Sequence, residues 1–290
     1  EPHERADRIT QRLTELGSAI TFDDLCNLQL DTKSLMGRAS RDAYIAIAGG
    51  IEGLSRGDPT ARAAAQAWAH WDCEARRDSA GATIGYMTVF DLAQNIVREL
   101  AGEAAVWGLF EQPAMSHLPL SRFPRIRERL LELGVDLAEE TREAFRRTVE
   151  NCSDRFGSDV STWTWGRVHR LTCKHPFHHT PVLGPLFSIG PSASDGSTDT
   201  VNRGDVNCAS DLTHRAGAAM RMVVSARDLD HAATILPGGQ SGHPLSQHYD
   251  DQFDDFLAGS LKSAPFHEPY GKPESRESFW PLIPRGRDVP

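Results

Sequence analysis

Apolar side chains recur at helical spacing through the first half of this chain and at strand spacing through the second. From Arg5 to Leu16, Ile9, Leu13 and Leu16 lie on one helical face, and Gly17 stops the run. Thr21, with Asp24 three residues on, forms a capping pair for a short helix carrying Phe22, Leu25 and Leu28. The longest stripe, Tyr86, Val89, Phe90, Ala93, Ile96, Val97 and Leu100, predicts a core helix. Phe123, Ile126, Leu130 and Leu133 repeat the pattern up to Gly134. Asp136 with Glu139 then opens another helix, whose buried face is Leu137, Thr141, Phe145, Val149 and Cys152, and these last two helices are expected to pair as an antiparallel hairpin.

After Gly157 the chain turns to aromatic and β-branched residues punctuated by Gly and Pro, which is strand and turn chemistry. Trp163 and Trp165 share one face of an expected strand in TWTWGRVHRL. Residues 190–205 read as a polar loop, too hydrophilic for the core and long enough to be functional or mobile. Residues 218–226 alternate, with Met220, Met222 and Val224 opposite Arg221 and Val223, as in a strand buried on one face. A short strand from Ala232 to Leu236 leads into LPGGQSGHPLSQHYDDQ, where Gly238, Gly239 and Gly242 promise positive φ or close approach and Pro237 and Pro244 stiffen the ends. A helix around Asp250 to Gly259 and a Pro-rich tail with Phe279 and Trp280 follow. With no internal repeat and no clear linker, the expectation is a single α+β domain over 1–290, helical over 1–156 and built of strands and loops over 157–290.

Composition narrows the function. The 290 residues are 39% hydrophobic, enough for a substantial core. A formal charge of -9 argues against a nucleic-acid partner, which would need clustered Lys and Arg. No apolar run reaches bilayer-spanning length, and EPHERADRIT does not read as a signal peptide. Cys26, Cys73, Cys152, Cys173 and Cys208 are odd in number, without a repeated spacing, and make no disulfide framework.

Several clusters could carry chemistry. Ser241, His243 and His248 invite a serine-hydrolase reading. A trypsin-like triad, however, needs an upstream His and Asp on β-barrels, where this chain is helical, and a G-x-S-x-G elbow fails at His243. Cys173, His175, His178 and His179 are metal-ligand types, with Cys152 or Cys208 as possible further ligands. Pro176 and the adjacency of two histidines favour ordinary loop residues instead. Arg167, His169 and Arg170 either line a cleft or pair with acids across a sheet. His248, Tyr249, Asp250, Asp251 and Gln252 form either a polar network or a helix start with acids at its positive end.

Taken in order, ADRITQRL from Ala6, TFDDLCNLQLDT from Thr21, WGRVHRL from Trp165 with His175 and Pro176 after it, GSTDTVNRG from Gly196 and the run through HYDDQ resemble the β subunit of the penicillin acylase (penicillin amidase) family of N-terminal nucleophile hydrolases. The resemblance implies part of an αββα sandwich and hydrolysis of linear amides, such as acylated β-lactams or acyl-homoserine lactones. In that family the β chain opens on a nucleophile, commonly Ser, whose own α-amine acts as base. Residue 1 here is Glu. The expectation is therefore a C-terminal portion of such a β chain, inactive alone, with the nucleophile, an oxyanion-hole asparagine and a calcium site all upstream. Within this chain no metal or cofactor is expected.

The resemblance carries over one catalytic residue, Arg8, whose guanidinium would stabilise developing charge; a solvated helix arginine is the alternative. Ser241 inherits no nucleophile role. The implied partners are the rest of the β chain, an α chain from the same precursor and a small amide substrate, in a periplasmic or secreted setting that suits antibiotic biosynthesis. The rival is a non-enzymatic binding or structural module that keeps the fold.

Overall fold

A computed structural model describes residues 4–111, 127–206 and 211–266. The helical half begins with α1 (Glu4–Leu16), which buries no residue completely, and α2 (Phe22–Leu28). Thr21 and Asp24 form the full reciprocal capping box ahead of α2, as their spacing predicts. Then follow α3 (Leu35–Ile47), α4 (Gly50–Ser55), α5 (Pro59–Ala69) and the 22-residue α6 (Ala80–Ala101). Ser34, Asp58 and Ser79 cap α3, α5 and α6, each accepting from a backbone N–H three residues on.

The predicted α6 stripe is core from Tyr86 through Ile96, whereas Leu100 is exposed in the last turn. Beyond α7 (Glu103–Val106) and a helical turn over 127–132 (α8) lies α9 (Leu137–Phe156), opened by Asp136, whose carboxylate accepts from the N–H groups of Ala138 and Glu139. All five predicted inward residues of α9 are buried.

The surface they meet is formed by α6 and α5. Phe145 stacks on Trp68 of α5, Thr88 of α6 bonds Thr148 at 3.2 Å, and Cys152 Sγ lies 3.7 Å from Met87 Sδ. Of the expected hairpin partner, Phe123 and Ile126 fall outside the described residues, Leu130 is buried and Leu133 is exposed.

The expected strand at Trp163 and Trp165 is instead a 3-10 turn (Val160–Thr162) and a short helix α10 (Trp165–Val168). Both indoles are fully buried, and their N–H groups are spent on carbonyls, Trp163 on Gly157 at 2.8 Å and Trp165 on Gly196 at 2.9 Å. Asp159 caps the turn, and the Trp165 and Gly166 N–H groups bond the carbonyls of Ser79 and Arg77, so no ladder forms.

Strands begin at β1 (Arg170–Cys173). A small helix α11 (Leu183–Phe187) precedes β2 (Ile189–Ala193), followed by β3 (Gly204–Val206) and β4 (His214–Gly217). They form a sheet in the order β2-β1-β4-β3, in which only the β1–β4 pair is parallel.

A second, antiparallel sheet runs β5 (Arg221–Ser225), β6 (Asp228–Ile235), β7 (Lys262–Ser263), with Met222 opposite Thr234. Arg221 and Val223 point inward, and Met220, Met222 and Val224 stand outward. Helix α12 (Phe253–Ala258) packs Phe253 and Phe256 with Leu171 and Ile235, so one apolar cluster joins β1 to β6. The architecture is α+β, with the helical and strand-bearing halves in the expected order.

Candidate functional site

Residues 190–205, expected to be a loop too hydrophilic for the core, begin on the exposed Gly190 and Pro191 of β2 but from Ser194 onward pass through the interior, with only Arg203 exposed. Ser194, Ser197, Thr198, Asp199, Thr200, Asn202 and Asp205 are all buried. Burial of so much polar chain requires partners. Thr198 Oγ1 accepts from Val206 N at 3.1 Å, and Thr200 Oγ1 accepts from Ser197 N at 2.8 Å and donates to the Asn202 carbonyl at 2.7 Å. The backbone is tied outward as well: Gly196 N donates to Ala75 O at 2.7 Å, and Asn202 N to Asp31 O at 2.9 Å. Gly196 sits at φ +90°, and a Cβ there would lie 2.0 Å from the Asn202 carbonyl oxygen, so no other residue fits.

At the centre is the carboxylate of Asp199. Tyr86 OH donates to Oδ1 at 2.9 Å and Ser34 Oγ donates to Oδ2, while Ser34 also accepts from Gly37 N at 2.7 Å to start α3. One hydroxyl thus both begins a helix and holds a buried acid. Burial raises the Asp199 pKa above the ordinary carboxylate value, against the pull of the two hydroxyls.

A ladder of rings backs this centre: Tyr86 to Trp165 at 5.0 Å, Trp165 to His169 at 4.7 Å, His169 to His214 at 4.9 Å. His169 Nδ1–H donates to the Leu212 carbonyl at 3.0 Å, and His214 Nδ1 pairs with Ser194 Oγ at 2.9 Å. Burial, reinforced by His214, pulls the His169 pKa down to about 3, and burial brings His214 to about 4.

Arg8 lies at the edge of this region. Its Nε donates to Asp31 Oδ1 at 2.9 Å and its Nη2 to Oδ2 at 2.7 Å, a side-on bidentate pair whose members are only 13% and 12% exposed. The hydrogen bond to Asp31 is the largest of the influences that raise the Arg8 pKa. Asp31 accepts from Lys33 N at 3.1 Å, and Thr32 donates to Glu74 at 2.6 Å. Four of the sequence segments singled out above therefore meet here: the one holding Arg8, the one ending at Asp31 and Thr32, the Trp165 run and the Gly196 loop.

The other candidates are not brought together. Ser241 Oγ accepts from His243 N at 3.1 Å, and exposed His248 pairs with Asp251 at 3.0 Å. The loop is instead a structural joint: Gln252 Oε1 accepts from Leu236 N at 3.1 Å, Gln252 N donates to Gly238 O at 2.9 Å, and Tyr249 OH donates to Phe187 O. None of Gly238, Gly239 and Gly242 adopts positive φ. Gly239 is needed for close approach, since a Cβ there would stand 2.0 Å from the His248 carbonyl oxygen.

Cys173 Sγ contacts Pro237 O at 3.0 Å, His175 packs on Phe187, and His178 Nδ1 pairs with Ser188 Oγ at 3.0 Å. Cys152 is buried among the helices and Cys208 lies outside the described residues. Among the described residues no group of three or more His, Cys, Asp or Glu is arranged to hold a metal ion. Arg167 lies over the Phe156 ring and Arg170 donates to Pro191 O at 2.8 Å, and among the described residues neither pairs with an acid across a sheet. Among the described residues no carboxylate is hydrogen-bonded to His178 or His214, the two imidazoles that touch a serine hydroxyl.

The sequence patterns give no site role to Asp31, Ser34, Tyr86, Asp199 or His214, although Asp31 and Asp199 lie in the family-like segments and Tyr86 in the predicted core stripe. The available signal was the density of Ser, Thr and Asp between residues 194 and 205, because a solvated loop of that length has no need of so many short hydroxyls.

Comparison with known proteins places the chain. The penicillin amidase family model matches residues 1–270. The acyl-homoserine lactone acylase QuiP of Pseudomonas putida is 31% identical over 114 residues, covering 39% of this chain and 14% of that protein. QuiP of Pseudomonas aeruginosa is 28% identical over 130 residues, covering 41% and 15%. A solved structure, the thermostable penicillin G acylase from Alcaligenes faecalis, aligns with 99% of this chain and 52% of its own at a TM-score of 0.49 and 13% identity. The chain thus corresponds to only a part of each of these proteins. It belongs to the penicillin amidase family.

Proposed function

We propose that this chain contributes part of an amidase that hydrolyses linear amides, with N-acyl-homoserine lactones and acylated β-lactams as the substrate classes. The observation that carries the reading is the Arg8–Asp31 pair. A guanidinium held side-on on a covered carboxylate, beside a buried polar centre, is a fixed positive group of the kind that stabilises an oxyanion or orients an acyl substrate. The names of the relatives favour the homoserine lactones.

In this reading the nucleophile comes from outside the residues described here, as an N-terminal Ser, Cys or Thr whose α-amine has a pKa of about 8 and takes the hydroxyl or thiol proton as the nucleophile attacks the amide carbonyl. The amine leaves, an acyl-enzyme remains, and water releases the acid. The rest of the β chain, an α chain of the same precursor and a family calcium site outside this chain complete the enzyme, in the periplasm or outside the cell. Among the described residues no helix is long and apolar enough to cross a membrane.

The experiment compares this chain alone with the complete processed polypeptide on a phenylacetyl anilide and a long-chain acyl-homoserine lactone, with mass-spectrometric detection of the free acid. Turnover by the complete protein only is the expected result. Turnover by neither overturns the amidase reading, and turnover by this chain alone overturns the external nucleophile.

A further inference from the structure

The geometry of Arg8 reaches past its own role to that of its partner. A guanidinium has five N–H groups in a rigid plane. Asp31 engages its side edge through Nε, at 2.9 Å and 3.2 Å from the two carboxylate oxygens, and through Nη2 at 2.7 Å. Nη1 donates to Gln11 Oε1 at 3.1 Å, and Gln11 in turn donates to Glu15 at 2.9 Å. Among the described residues neither Nη1 nor Nη2 has a further hydrogen-bond partner, so one N–H remains on each. With Gln11 on the outer Nη1–H, the two form the end-on fork that suits a carbonyl or carboxylate oxygen.

Helix α1 buries no residue completely, so its own packing does not fix the direction of that fork. Asp31 can fix it because Asp31 is itself immobilised. Its carboxylate accepts from Lys33 N at 3.1 Å, its carbonyl accepts from Asn202 N at 2.9 Å, and the following Thr32 accepts from Ala75 N through its carbonyl.

We propose that Asp31 is the positioning residue of this amidase, holding Arg8 so that its end-on fork meets the reacting acyl group. The proposal rests on the reading of Arg8 given above. Asp31 touches no substrate; it acts through Arg8 and ties Arg8 to the buried Asp199 loop. Its loss leaves Arg8 present and charged but free to swing. The cost then falls on the chemical step more than on binding, because a displacement near 1 Å at a group that acts in the transition state costs about a hundredfold.

The test uses the complete processed enzyme with a phenylacetyl anilide as the probe, measuring kcat, KM and melting temperature for wild type, Arg8→Lys, Asp31→Asn, Asp31→Glu and the double variant Arg8→Lys/Asp31→Asn. Asp31→Asn is expected to lower kcat about ten- to a hundredfold with KM changed less than about threefold, and to add little in the Arg8→Lys background. Asp31→Glu, which keeps the charge but moves the carboxylate by one methylene, is expected to recover part of kcat. Should Asp31→Asn melt below the assay temperature, the kcat of Asp31→Glu carries the test by the same criterion.

A full kcat in Asp31→Asn beside a lost kcat in Arg8→Lys overturns the role of Asp31 and leaves that of Arg8 standing. A fall in melting temperature with kcat intact marks a mere tether of α1 and overturns it too, as does full additivity in the double variant. A full kcat in Arg8→Lys overturns the assignment of Arg8, and the positioning role with it. A wild type inactive on every acyl amide would be the failure of the amidase reading itself.

Discussion

Acid should unfold this protein through two histidines. His169 is fully buried between the rings of Trp165 and His214, and among the described residues its Nε2 and that of His214 have no hydrogen-bond partner. Both rings are neutral in the folded state, with pKa values of about 3 and about 4. An unfolded histidine titrates near 6.5, so a folded pKa below that value gives stability that is whole above pH 6.5 and drains away as pH falls toward the folded values. At pH 7 the unfolded rings are mostly neutral and the loss is below about 0.2 kcal/mol each. At pH 5 it reaches about 2 kcal/mol per ring, or about 4 kcal/mol for the pair.

Asp199 works the other way. Its raised pKa gives stability that is present in acid and lost as pH rises through the folded value. Comparison with a variant at each pH cancels that contribution. In urea denaturation of wild type and His169→Phe at pH 7, 6 and 5, the variant should be less stable at pH 7, because the Leu212 carbonyl loses its donor. Its further loss on going to pH 5 should be smaller than that of wild type by about 2 kcal/mol. Equal losses in the two proteins would refute the claim that the buried imidazole is neutral.

Three further substitutions probe the candidate site and its alternatives. Gly196→Ala puts a Cβ 2.0 Å from the Asn202 carbonyl oxygen at φ +90° and should cost at least about 2 kcal/mol by thermal or urea melts. Tyr86→Phe removes one of the two side-chain donors to the Asp199 carboxylate and should cost about 1–3 kcal/mol at pH 7. Since the missing donor stabilises the ionised acid, the cost should shrink toward pH 4, which paired denaturation curves would read. Ser241→Ala deletes a hydroxyl whose bond is to a neighbouring backbone N–H, so the complete enzyme should keep its kcat; loss of turnover would reinstate the serine-hydrolase reading.

The legible parts of the fold are those whose signal is local. The capping box at Thr21, the inward face of α9 and the stop at Gly17 depend on residues within one or two helical turns, and each stands where its spacing puts it. The misread parts depend on partners far along the chain. TWTWGRVHRL has strand composition, but its indoles are bonded to Gly157 and Gly196 and its backbone to Arg77 and Ser79, and those contacts decide its shape. Residues 190–205 have loop composition, but Ser34 and Tyr86 satisfy the acid from 165 and 113 residues away. Periodicity reports which face is apolar. It does not report that a polar segment has found enough donors and acceptors to be buried.

The same distinction explains why the family was more legible than the site. Family membership follows from short segments in a fixed order, and each segment can be read alone. The site arises only where those segments touch: Arg8 looks like any helix arginine until Asp31 is seen to hold it, and Asp31 like any turn residue until Asn202 binds its carbonyl. A resemblance in the Arg8 segment gives the residue a role, but it leaves open whether the guanidinium is fixed or solvated. The bidentate pair fixes it, at 13% exposure. Its anchor is a carboxylate held from two directions, by Lys33 N and through the buried loop. For that reason the decisive measurements are made on Asp31 as well as on Arg8: the end of one family-like segment holds the arginine side chain of another.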